Sequence, residues 1–321
     1  MTLPRAVQSL DGQAMTVVAT EMRRRPDRWS TALRLAVLGP GKQGAQAGIH
    51  LADIGDAADA AFLRVVATTN KSLRPAAAQI TRRLAPIALV QDLGVVSVRL
   101  SGGPAIVPVR RKVLGLLCFL ATRPNQAATR DETLEALWPD LGPDTGANSL
   151  HQTIYYLRRN FDDEFREGVS APYVLFDGEI VTLNPDLVHC ESKACWALIK
   201  ASAPGDVEAT ERVIARYAGR FALDFTYEDW AGSYRETLHA AVLDRVEAGI
   251  EAASAATRWD AVISLGHRLL AIDPAADAVE LALLRAYKRS GRMAAAAEQY
   301  AHYAATLRAD LGVDPPDFSV I

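Results

Sequence analysis

The side chains with most to offer chemically lie between residues 148 and 159. Asn148, His151, Gln152, Tyr155, Arg158 and Arg159 are interleaved with Leu150, Ile154, Leu157 and Phe161, whose spacings are four, three and four. That period puts the apolar set on one face of a helix and the polar set on the other. Asn148 and Gln152 carry amides suited to paired hydrogen bonds with adenine. Arg158 offers a fork for phosphate or guanine, and His151 and Tyr155 can touch base edges or sugar. Thr129 and Arg130, at a second helix start, are candidate phosphate anchors, because backbone N–H groups point outward there. Arg110, Arg111, Lys112 and Arg159 extend that set. The chemistry is recognition of nucleic acid through hydrogen bonds and charge.

Bond-making chemistry finds no comparable foothold. The chain shows no clustered nucleophile, base and orienting acid, no Walker motif and no metal-ligand spacing, so neither an enzyme, a cofactor nor a metal is expected. Cys190 and Cys195, five apart beside His189 and Glu191, read as buried packing cysteines on a helix rather than a redox pair. Cys118 sits in an apolar helix and reads as core. Gly39-Pro40-Gly41-Lys42-Gln43-Gly44 fits the dinucleotide-binding glycine spacing after an apolar run, with 62–69 as a second strand. One such fragment of roughly 60 residues makes no dinucleotide domain, so a glycine-rich turn between helices is the favoured reading.

The recognition helix needs a frame, and the flanking residues supply one. After Pro86, segments 87–94, 95–100 and 105–109 are apolar or β-branched and read as short antiparallel strands. An apolar helix over 113–120 follows, stopped near Pro124. A second begins at Thr129, with Glu132 at capping-box spacing, and runs to Pro139. The third is the helix of residues 148–159. Tyr173–Phe176 and Glu179–Leu183 flank Asp177-Gly178, the signature of a hairpin. Strands, three helices and a hairpin in that order make a winged helix-turn-helix over residues 86–186.

On either side the chain reads helical. Residues 1–28, which include Arg23-Arg24-Arg25-Pro26, read as a mobile basic arm or a short helix. Residues 29–85 suit a HEAT-like helical segment, with a Gly55-Asp56 break between two helices. Beyond Asn184-Pro185, helices are expected over 191–202, 206–218, 228–256, 258–271, 275–290 and 292–310. Trp259 and Met293 open similar units 34 residues apart, the tetratricopeptide period, so 187–317 reads as a stacked helical domain. The fold class is mainly α.

Composition bounds this picture. The chain has 321 residues, is 50% hydrophobic and 23% charged, enough for two or three packed domains. Three cysteines exclude a disulfide-built scaffold, and no apolar run is long enough to span a membrane, so a soluble cytoplasmic protein is expected. The net charge of −3 opposes binding to phosphate only as an average. Residues 1–85 hold 12 Lys/Arg against 6 Asp/Glu, 86–186 hold 9 against 13, and 187–321 hold 14 against 19. A basic front and an acidic rear are concealed in the total.

Ordered motifs carry a family resemblance over residues 87–316. They are the runs 111–117, 129–139 and 148–159, then Tyr217-Ala218-Gly219-Arg220-Phe221, Glu228-Asp229-Trp230, Tyr234-Arg235-Glu236-Thr237-Leu238 and Leu311-Gly312-Val313-Asp314-Pro315. In these the chain resembles the SARP family of bacterial transcriptional activators, an OmpR-type winged helix joined to a bacterial transcriptional activator domain. The resemblance implies that the third helix enters the major groove and the hairpin lies over a minor groove. It also implies double-stranded promoter DNA with tandem repeats, a homodimer on that DNA, and contact with RNA polymerase holoenzyme. One departure is the acidic wing tip, Asp177-Gly178-Glu179, which repels phosphate and predicts modest affinity for one protomer. It also leaves open an adaptor whose winged helix has lost DNA binding.

Overall fold

The computed structural model describes residues 18, 20–39, 41–274, 276–310 and 312–320. The front of the chain forms α1 (Pro26–Val37), α2 (Gly41–Ile54), α3 (Ala57–Thr69) and α4 (Arg74–Leu84). The middle forms β1 (Ala88–Gln91), β2 (Ser97–Leu100), α5 (Arg111–Thr122), β3 (Ala127–Thr129), α6 (Arg130–Leu137), α7 (Pro143–Phe161), β4 (Val174–Phe176) and β5 (Ile180–Leu183). The rear forms β6 (Val188–Cys190), α8 (Glu191–Ala201), α9 (Val207–Arg216), α10 (Asp229–Ala255), α11 (Trp259–Leu270), α12 (Asp277–Arg289) and α13 (Met293–Asp310). These elements gather into two compact units. Of the described residues, one holds those up to 88 with 100–104 and 142–188, the other 89–99, 105–141 and those from 189 on.

In the first unit, α1–α4 close over Leu33, Val37, Leu51, Leu63, Leu73 and Ile80. Each fully buried Leu or Ile there contributes about 1.5–3 kcal/mol. The break between α2 and α3 is a reciprocal cap. Asp56 accepts from the Asp59 backbone N–H and the Asp59 carboxylate accepts from the Asp56 N–H, both at 3.0 Å. Asp59 is buried, so it needs partners, and α1 supplies Arg34 and the Ser30 hydroxyl at 2.8 Å. Val169, far along the chain, completes this core. Leu33 to Val37 lie in a helix, 62–69 lie in α3, and Gly41 to Gly44 form the first turn of α2 rather than a turn between helices, so the dinucleotide alternative falls. Of the basic arm expected over 1–28, residues 1–17 and 19 lie outside the described residues. Residues 20–24 are helical with Met22 buried.

α7 follows Pro143 at its first turn, where the missing N–H costs nothing. Its stripe of Leu150, Ile154, Leu157 and Phe161 is buried as expected. The hairpin pairs Val174 with Leu183, Leu175 with Thr182 and Phe176 with Val181. Gly178, at φ +101°, takes the turn conformation that favours glycine.

In the second unit β1 is the central strand of a three-stranded sheet, flanked by β2 and β6. The third strand expected at 105–109 is a correction: only Ala105 bridges to Arg99. Pro104 and Pro108 have no N–H to give a ladder, and β6 takes the place instead. Cys190 therefore ends a strand, while Cys195 lies on α8. Residues 92–96 are stitched to 220–224 by Ala222 N–H to Asp92 carbonyl (2.8 Å), Gly94 N–H to Arg220 carbonyl (3.0 Å) and Leu223 N–H to Gly94 carbonyl (3.0 Å). The backbones meet so closely that a Cβ on Gly219 would stand 3.2 Å from the Gly94 Cα. The six rear helices all fall within two residues of their expected bounds. α11 and α13 begin at Trp259 and Met293.

Candidate nucleic-acid interface

α7 presents its polar face outward. Asn148, His151, Gln152, Tyr155 and Arg159 are all exposed, Tyr155 at 48%. At about 100° per residue, Asn148, Gln152, Tyr155 and Arg159 fall within about 60° of one another. Among the described residues the Asn148 and Gln152 amides, one turn apart and both exposed, have no hydrogen-bond partner. Arg159 Nη1 donates to the Tyr155 hydroxyl at 3.2 Å and its guanidinium lies 5.9 Å from that ring, which holds both at the C-terminal end of the face. The Tyr155 and Tyr156 rings meet edge-on at 5.5 Å. His151 packs edge-on against Phe176 at 5.2 Å, joining the start of the face to the hairpin.

Arg158 is placed otherwise. Its Nε and Nη2 donate to the Val174 carbonyl at 3.3 and 3.2 Å, and its guanidinium covers Phe165 at 5.3 Å. Burial draws its pKa down, though an arginine so placed keeps its charge. It ties α7 to β4. A helical wheel gives the reason, since Arg158 lies only about 40° from Ile154 on the buried stripe.

The wing tip is built around its acid. Asp177 Oδ1 accepts from the backbone N–H of Glu179 at 2.9 Å and of Ile180 at 2.8 Å, which holds its carboxyl below the usual range. Asp177 thus forms the turn, and both it and Glu179 are exposed.

At its other end α7 is clamped by the front helices. Arg64 Nη1 and Nη2 donate to the two Asp162 oxygens at 2.9 and 3.0 Å, and Nη2 also reaches the Glu164 carbonyl at 2.9 Å. Burial alone would push the Asp162 carboxyl up; the Arg64 fork outweighs it and holds the group low. The sequence reading passes over Arg64 and Asp162, because 98 residues separate them.

The remaining candidates lie in the second unit. Arg110 is exposed and engaged. Arg111 pairs with Glu228 at 3.8 Å and stacks on Phe225 at 4.7 Å. Lys112 donates to the Leu137 carbonyl and lies over Trp138, closing the C-terminal end of α6. Thr129 is the expected cap: its Oγ1 accepts from the Glu132 N–H at 3.2 Å and donates to Glu132 Oε2 at 2.8 Å, so the hydroxyl is committed. Arg130 leans on Asp131 at 3.3 Å. Among the described residues no three His, Cys, Asp or Glu side chains gather to hold a metal. The three cysteines are buried and free, with thiols pushed up by burial.

Element order and motif order together define a class, winged-helix regulators joined to a helical activator domain. Two family models match in that order: "Transcriptional regulatory protein, C terminal" over residues 105–170 and "Bacterial transcriptional activator domain" over 192–317. The chain is similar to the transcriptional regulatory protein MoaR1 of Mycobacterium bovis (strain BCG / Pasteur 1173P2), 26% identical over 227 residues, covering 66% of this chain and 70% of that one. Its fold is similar to that of Mycobacterium tuberculosis EmbR, solved in complex with a low-affinity phosphopeptide. There the TM-score is 0.52 at 21% identity, covering 73% of this chain and 63% of that chain, under two thirds of its length. The two models, in that order, give the chain the domain arrangement of transcriptional regulators of SARP type, to which it is similar.

Proposed function

We propose that the protein binds promoter DNA sequence-specifically through the exposed face of α7 and activates transcription by contacting RNA polymerase. The observation that carries this is the pair of free amides, Asn148 and Gln152, one helical turn apart on a face that also bears His151, Tyr155 and Arg159. Such amides pair bidentately with adenine in the major groove, and Arg159 is placed to take phosphate or guanine. Arg110, Arg111 and Arg130 supply backbone contacts; Lys112, Thr129 and Arg158 act as supports within the fold. Residues 86–186 serve as the DNA-binding domain and 187–317 as the activator domain. Residues 29–85 buttress α7, and residues 1–28 add a basic arm. A homodimer on direct repeats supplies affinity that one protomer with an acidic wing lacks. The protein works in the cytoplasm as a regulator and not as an enzyme; no described helix is long and apolar enough to cross a membrane.

The test is base preference. Genomic fragments selected by the full-length protein define a site, and single-base variants of that site are then bound by wild type and by Gln152→Ala. The expected outcome is a loss of about 1–3 kcal/mol of discrimination at one position, with the others unchanged. No preference in the wild-type protein, at any site, overturns the reading.

A further inference from the structure

Between α10, α11 and α12 the second unit carries a cleft of about 740 Å³, within the size range of small-molecule sites. Its floor is apolar. Ile250 and Val279 are buried there, and the half-buried Trp259 and Ala282 pack on the same core. The walls carry opposite charge. Glu247 and Glu251 stand one turn apart on α10, and Arg285 and Arg289 stand one turn apart on α12. All four are exposed, and among the described residues none of them has an ion pair or hydrogen bond within the chain. Like charges one turn apart weaken the helix that bears them, and here neither pair is relieved by the other across the cleft. Folding therefore gives no account of these four charges, whereas a ligand carrying both signs does. Lys288, a further cation of the cleft, is spent: its Nζ donates to the Phe318 carbonyl at 2.8 Å and lies 4.9 Å from that ring. That contact, with the Tyr300 hydroxyl donating to the Pro316 carbonyl at 2.9 Å, folds the last described residues back onto α12 and α13. Ser319 and Val320 thereby bound the cleft on another side.

We propose that this cleft binds a small zwitterionic ligand with an apolar body. Its carboxylate lies against Arg285 and Arg289, its amine against Glu247 and Glu251, and its apolar body over Trp259, Ile250 and Val279. The site belongs to the second unit and α7 to the first, so it does not rest on the DNA-reading assignment.

The experiment titrates the full-length protein with ω-aminooctanoic acid, octanoic acid or octylamine and reads binding by isothermal calorimetry. The zwitterion is expected to bind at least about threefold tighter than either singly charged analogue, with added salt narrowing the gap. Glu247→Gln combined with Glu251→Gln should bring the zwitterion down to the level of octanoic acid while leaving octanoic acid no weaker. Arg285→Gln combined with Arg289→Gln should do the converse, bringing it down to octylamine and leaving octylamine no weaker. Trp259→Ala should weaken all three probes together, whereas Trp259→Phe keeps an aromatic ring and most of the binding. Melting temperatures of the two paired variants should be unchanged or raised, because each removes a like-charge pair from a helix. A clear drop would make the charges structural and overturn the inference. So would failure of the zwitterion to bind, equal binding of the three probes, or a zwitterion affinity unmoved by either paired substitution. Binding of the same variants to the selected DNA site, without probe, should stay within about twofold of wild type. Loss of the charge preference with DNA binding intact then speaks to the cleft, and loss of DNA binding alone speaks to the proposed function.

Discussion

At the scale of single residues, what decides a role is whether a polar group finds its partner inside the chain. Among the described residues Asn148 and Gln152 do not, whereas Arg158 and Lys112 do, through backbone carbonyls of distant segments. Nothing in the sequence tells these apart except the helical wheel around Arg158, because a carbonyl acceptor has no sequence signature. Asp92 is a sharper instance. It is wholly buried and accepts from the Ser192 N–H at 2.8 Å and from the Ser192 hydroxyl at 2.6 Å. Burial pushes its pKa up to about 6, with Glu191 adding to the rise. A folded-state pKa above the unfolded one favours the protonated form. The stability this group gives is therefore complete below the unfolded value near 4 and is lost as pH rises through about 6. Two pKa units correspond to about 3 kcal/mol across that window. Asp92→Asn keeps an oxygen for the Ser192 N–H and gains an N–H for the hydroxyl. Urea midpoints should show the variant gaining on wild type from pH 4 to 7 and matching it near pH 4. Parallel curves would place the ionisation elsewhere.

At the scale of elements, the helices were legible because their apolar residues recur with the helical period over long runs. α7 and the six rear helices announce themselves in this way, and Thr129 with Glu132 marks the start of α6. The short strands were less legible. Residues 105–109 have strand composition, but Pro104 and Pro108 remove ladder donors, and the three residues of β6 are too few to carry a pattern. Nor was the support of the candidate site legible, since Arg64 and Val169 act across long stretches of chain. That support is testable. The Arg64 and Asp162 side chains are only 16% and 13% exposed, so removing either leaves a largely buried charge unpaired. Arg64→Ala and Asp162→Ala should each cost about 3 kcal/mol in urea unfolding, and the double variant should cost clearly less than their sum. Additive losses would mean that the fork contributes nothing as a pair. The single variants should also weaken DNA binding, because the fork fixes the C-terminal end of the helix that bears Arg159.

At the scale of the whole molecule, the net charge of −3 is a sum over regions that behave differently. Residues 86–186, which hold the proposed reading helix, carry an excess of four acids, and residues 1–85 carry an excess of six bases. Duplex binding is driven largely by release of counterions from phosphates, so an acidic DNA-binding domain gives a shallow salt dependence and a modest affinity. Intramolecular use of Lys112 and Arg158 removes two cations from the set that could meet phosphate. Arg159, hydrogen-bonded to Tyr155 on the exposed face, remains the cation on α7 best placed to do so. The prediction concerns the slope of log affinity against log salt for the selected site. It should be negative in wild type and smaller by about one in Arg159→Ala. Arg158→Ala should leave the slope unchanged while lowering the melting temperature, because that guanidinium ties α7 to β4 rather than to DNA. Placing a second copy of the site in direct repeat should raise affinity without altering the loss per protomer. A slope that falls equally in both arginine variants would return Arg158 to the interface, and an unchanged slope in Arg159→Ala would move the phosphate contacts off α7.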